Sequence, residues 1–136
     1  MKKILLALAI GTASLVGLSS CTKEYVTNYL PGVSYYEPLA SGDWTRNERN
    51  NFTAVIPVPE LDQQYYEDGE VSVAIQFEDQ KGTFHNIPSE GINGHGYNAS
   101  YKIGEVILYA VDLDNLNEAP KAMRVKIVLT DAEIGN

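Results

Sequence analysis

The chain has 136 residues, 18 of them acidic and 10 lysine or arginine, for a formal net charge of −8. An acidic surface repels phosphate backbones and anionic headgroups, so nucleic acid is excluded as a partner and charge alone does not hold the chain to a membrane. The length suits one domain of about 100 residues with a short extension, and a single cysteine leaves no internal disulfide to brace it.

The chain opens on a targeting pattern. Lys2 and Lys3 precede an uncharged apolar run from Ile4 to Gly17, too short to span a bilayer comfortably. Leu18-Ser19-Ser20-Cys21 follows and resembles the bacterial lipobox. That motif has an aliphatic residue, two small residues that fit a narrow peptidase site, and a cysteine whose thiol is the nucleophile for thioether formation. The resemblance implies a signal peptide over residues 1–20, cut before Cys21, and lipid, palmitate included, on that cysteine. Two or three acyl chains, at about 0.8 kcal/mol per buried CH2, make such an anchor permanent. Removing residues 1–20 takes two lysines and no acid, leaving eight basic against 18 acidic residues, a net −10.

Residues 21–33 read as a lipidated tether and residues 34–136 as a single domain. Thr22 to Gly32 has mixed charge, no clear period and a Pro31-Gly32 turn signal. Ser34 to Leu39 reads as a first strand interrupted at Pro38, and Ser41-Gly42-Asp43 as a turn before Trp44. Phe52, Ala54, Ile56 and Val58 alternate on one face, with Pro57 marking an edge strand or a strand end. Pro59 to Glu67 has room for one short helical turn. Val71, Val73, Ile75 and Phe77 share a face, with Ser72, Gln76 and Glu78 opposite. A weaker strand is expected over Gly82 to Ile87. Tyr97, Ala99, Tyr101 and Ile103 repeat the alternation. Glu105 to Asp112 is apolar on both faces, which predicts a central strand or one covered on both sides. Met123, Val125, Ile127 and Leu129 alternate with Arg124 and Lys126. Six or seven short strands with turns between them predict an all-β fold, a small antiparallel β-sandwich, immunoglobulin-like or related; the alternative is a small β-barrel.

The lipobox, the Thr22-Lys23-Glu24 start, the tyrosine-rich tether, the Trp44 region and the closing Val125–Leu129 strand together resemble the small lipoproteins of unassigned function abundant in Bacteroidota envelopes. The resemblance implies a compartment, the bacterial cell envelope, and no functional residue beyond Cys21. By similarity to the enterobacterial sorting rule, Thr22 after the cysteine, where an aspartate is absent, favours the outer membrane. One acid and one base in Thr22–Tyr25 favour the periplasmic face over the cell surface.

Catalysis is not expected. His85 and His95 are the two histidines, read as a strand-surface and a solvated loop residue. Nucleophile-elbow, His-Glu-x-x-His and phosphate-loop motifs do not occur. A small hydrolase using a chance carboxylate pair is the third reading. No cofactor is expected, with calcium the one candidate. Asp112, Asp114 and Glu118 offer hard oxygen ligands after a strand, against the plainer reading of a solvated polar loop. Trp44, Tyr35, Tyr36, Tyr65 and Tyr66 are candidates for stacking on a glycan; neighbours in a strand point to opposite faces, so one of each tyrosine pair is expected outside. The expected role is a non-enzymatic binding or structural lipoprotein with a protein or glycan partner, and the alternative is a glycan-binding accessory of an outer-membrane uptake system.

Overall fold

A computed structural model describes residues 32–132. The expected signal peptide, Cys21 and nearly all of the tether lie outside these residues. Among the described residues nine strands form two antiparallel sheets: β1 (Val33–Leu39), β2 (Thr45–Glu48), β3 (Asn51–Pro57), β4 (Glu70–Phe77), β5 (His85–Ile87), β6 (Ser89–Ile92), β7 (His95–Lys102), β8 (Glu105–Asp112) and β9 (Met123–Thr130). One sheet has the order β1-β9-β4-β5 and the other β2-β3-β8-β7-β6. The fold is a small β-sandwich; neither sheet closes on itself, so the barrel alternative falls.

The core follows from the alternation. Met123, Val125, Ile127 and Leu129 of β9 are fully buried, facing Ile75 and Phe77 of β4 on their own sheet. Phe52, Ala54 and Ile56 of β3 and Val106, Leu108 and Ala110 of β8 form the other buried face. Pro57 closes β3 beyond the reach of β2, which pairs only with residues 51–53, so the missing N–H costs no ladder bond there. A short helix, α1 (Gln63–Asp68), fills the place expected for a helical turn. The Asp62 carboxylate accepts from the Tyr65 amide at 3.1 Å and starts it. It ends at Gly69, where an added Cβ would collide with the Thr130 carbonyl oxygen.

Four expectations change. β2 and β6 are additional strands, short and polar, which carry no apolar alternation. Gln76 faces outward yet is buried, because residues 78–84 fold back over it and its side-chain amide donates to the Lys81 carbonyl at 2.5 Å. His95 is no solvated loop residue: it is buried at the start of β7. His85 points inward against Phe77, with ring centroids 6.0 Å apart. The expected central place of β8 in its sheet holds, with one of its faces covered.

All four edge strands are blunted, although the short β5 leaves Glu70–Ser72 of β4 without a neighbour on that side. β5 has three residues, β2 and β6 are short with shifted register, and β1 carries Glu37 and Pro38. Such devices oppose pairing with a further chain.

Ile127→Ala should cost about 2–5 kcal/mol of unfolding free energy in urea titration, through lost burial and a cavity. Val111→Ala, on the uncovered face of β8, should stay within about 0.5 kcal/mol.

Candidate binding surfaces

The uncovered face of β8 is a candidate surface. Ile107, Tyr109 and Val111 point outward, with Val55 of β3 directly beside Ile107. Val55 is 55% exposed, Val111 43% and Tyr109 39%, while Ile107 between them is half-buried. Polar groups frame this apolar strip. The Ser100 hydroxyl lies 3.0 Å from the Tyr109 hydroxyl, and the Asn47 side-chain amide donates to the Thr53 hydroxyl at 3.2 Å. A Lys102–Glu105 ion pair at 2.6 Å closes one end.

A second surface is a groove of about 400 Å³ where the sandwich opens at one side. β5 pairs with Val73–Ile75 only, so Glu70–Ser72 of β4 has no neighbour there. Ser72, Asn86, Pro88, Ala99 and Tyr101 are among its lining residues. Tyr101 shares the inward parity of Tyr97 but, facing the groove, is 37% exposed. Tyr66 of α1 meets the Tyr101 ring edge-on, with centroids 6.1 Å apart and planes 83° apart.

The five aromatic candidates divide. Trp44 packs in the core against Tyr97, with centroids 6.4 Å apart, and Tyr65 is buried under α1; neither offers a face to a sugar. Tyr35 is half-buried. Burial, then the nearby Glu60 carboxylate, pushes its hydroxyl up to about 12. Burial likewise raises the Tyr65 hydroxyl, helped by Asp131 and Asp62. Tyr36 is exposed, as strand alternation expected for one of that pair; Tyr66 is exposed too, but it sits with Tyr65 on α1, where neighbours are about 100° apart and strand alternation does not apply. The two exposed rings lie apart: Tyr66 is at the groove, whereas Tyr36 is on the outer face of the four-stranded sheet.

The acidic loop is built differently from a cation site. Asp112 faces inward at the end of β8, and its two carboxylate oxygens accept from the Asp114 and Glu118 amides, each at 2.9 Å. The bond from the Glu118 amide, more than any other influence, holds its carboxyl below the usual carboxylate range. His95 Nε2 donates to the Glu118 carbonyl at 2.7 Å. Asn50, at the tip of the β2–β3 turn, exchanges bonds with Asn117 in both directions, at 2.9 and 2.8 Å, and its side-chain amide donates to Asn115 at 2.6 Å. All three asparagines have φ near +60°, a region that asparagine tolerates better than other residues with a side chain, glycine aside. Asp112 is thus committed to backbone amides, and Asp114 and Glu118 do not join it around a common centre. Among the described residues no group of three or more acidic, histidine or cysteine side chains is placed to hold one cation.

Sequence reasoning missed a fourth feature. Tyr36, Phe84, Arg124 and Lys126 gather on the outer face of the four-stranded sheet. The signals for it were the basic side of the last strand, Arg124 and Lys126, and the stacking candidate Tyr36, which the sequence did not bring together.

A depressed Asp112 carboxyl stabilises the fold at every pH above its ordinary value near 4, and that support is lost as pH falls through its lower folded value. Amide spectra of residues 112–118 should therefore hold from pH 7 to about pH 4 and change below it. In Asp112→Asn the same residues should be perturbed at neutral pH and lose this acid transition.

No family model, no curated protein and no solved structure matches the chain.

Proposed function

We propose that the protein is a non-enzymatic, lipid-anchored lipoprotein of the bacterial envelope that docks a partner protein on the outer face of the five-stranded sheet. The observation that carries this reading is the strip of Val55, Ile107, Tyr109 and Val111, an apolar centre with a polar rim. Interfaces have that anatomy, with tyrosine prominent among their energetic centres. The blunted edges argue for docking by a face over strand addition. His95, the buried histidine, is engaged by a backbone carbonyl and packed among aromatic rings, which suits structure more than proton transfer. The lipobox at Leu18–Cys21 supports anchorage, with the outer membrane and its periplasmic face as the proposed location.

A second reading, glycan binding, draws on the groove, where Tyr101 stands beside Ser72 and Asn86. Its aromatic pair is edge-on rather than coplanar, which suits sugar stacking less well.

A photo-crosslinker placed at Val55 or Val111 in intact cells should yield one defined adduct to an identified envelope protein. The same probe at Ser72, in the groove, should not. Tyr109→Glu should reduce that adduct by roughly tenfold or more. Equal labelling at all three positions sinks the docking reading, and an oligosaccharide adduct at Ser72 alone would favour the second. Separately, Cys21→Ser should abolish incorporation of radioactive palmitate; normal labelling would overturn the anchor.

A further inference from the structure

We infer that the outer face of the four-stranded sheet binds a monosaccharide-sized ligand bearing a single oxyanion, an acidic pyranose. Arg124 and Lys126 lie two residues apart on β9 and so share this face, flanked by Tyr36 and Pro38 of β1 and by Ala74 and Gln76 of β4. The Arg124 guanidinium carbon is 4.7 Å from the Tyr36 ring centroid and 5.6 Å from that of Phe84. Lys126 Nζ is 4.4 Å from the Phe84 centroid.

These contacts orient the cations without neutralising them. Among the described residues the ion pairs are Lys102–Glu105 and Lys121–Asp79, and neither Arg124 nor Lys126 takes part in one. A cation resting on an aromatic face keeps its donors free for an anion. In a chain of net charge −8 this cluster opposes the field of the rest of the molecule.

The surface beside the cluster is concave. A cavity of about 310 Å³ is lined by Gln76, Phe77, Glu78, Lys81 and Arg124. Lys81 adds a third positive charge. Glu78 is the one acid on the wall and offsets part of that charge, which favours a ligand of low negative charge. The volume suits one sugar ring. Tyr36 gives one face to Arg124 yet is 52% exposed, leaving apolar ring surface for the C–H face of a pyranose. A guanidinium fork matches a carboxylate or sulfate edge, so both sources of the oxyanion fit.

The test is an NMR titration of the domain with glucuronate, a 6-sulfated N-acetylglucosamine, glucose, acetate and inorganic sulfate. Glucuronate or the sulfated sugar should shift the resonances of Tyr36, Arg124 and Lys126, and glucose should not. The inorganic anion and acetate should bind at least about fivefold more weakly than the charged sugars. Arg124→Gln, which keeps part of the stem in place, should weaken the charged sugar about tenfold, the usual loss of a charge-assisted bond. Arg46→Gln, an exposed cation on β2 of the other sheet, should not change it. No shift with either charged sugar overturns the proposal. So does binding by glucose, by inorganic sulfate as tightly as by the sugars, or a perturbation unaffected by Arg124→Gln when the variant's unfolding midpoint is unchanged.

Discussion

One strand holds the domain together. β9 lies between β1 and β4, and these two meet no other central partner in their sheet. Each inward side chain of β9 is fully buried, and the chain has one cysteine, so no internal disulfide assists. Hydrophobic burial between the two sheets therefore carries the stability, at about 25 cal/mol per Å² of apolar surface removed from water. The pairing of β1 with β9 joins the two ends of the described chain. Its closure entropy is spent before any reward arrives, which places the domain among the slower-folding topologies.

The strands with clear alternation, β3, β4, β7 and β9, were legible because each must hide one face. β2 and β6 were not, since Thr45–Glu48 and Ser89–Ile92 are held by backbone pairing and carry no apolar period. β8 shows the limit of a one-dimensional reading. Apolar residues on both faces say that both avoid water, but not that the fold has a layer to cover each. Gln76 shows the converse: a polar residue on the outer face, hidden by a loop whose course no local pattern announced.

The candidate surfaces divide the same way. The Tyr35-Tyr36 pair resolved as strand parity demands, half-buried and exposed; Tyr65-Tyr66 divide into buried and exposed by the rotation of a helix, which the strand reading did not foresee. Trp44 went to the core because aromatic area is worth more there than at the surface. The grouping of Tyr36, Phe84, Arg124 and Lys126 comes from three distant segments, and only strand register brings them together. The Asp112 loop had the composition of a cation site, yet its oxygens satisfy amides that the β8–β9 connection would otherwise leave bare. Composition cannot distinguish an oxygen that faces a metal from one that faces the protein's own backbone.

The blunted edges take on weight if the domain is held at a bilayer. Molecules confined to a plane meet far more often than the same number free in three dimensions, and they meet repeatedly in similar orientations. An open strand edge under those conditions is a seed for growth along the membrane, one neighbour adding to the next. Short, bulged and charged borders remove that seed. Crowding on a leaflet then raises the odds of lateral contact without turning contact into a fibre, and each copy stays an individual with its broad faces available.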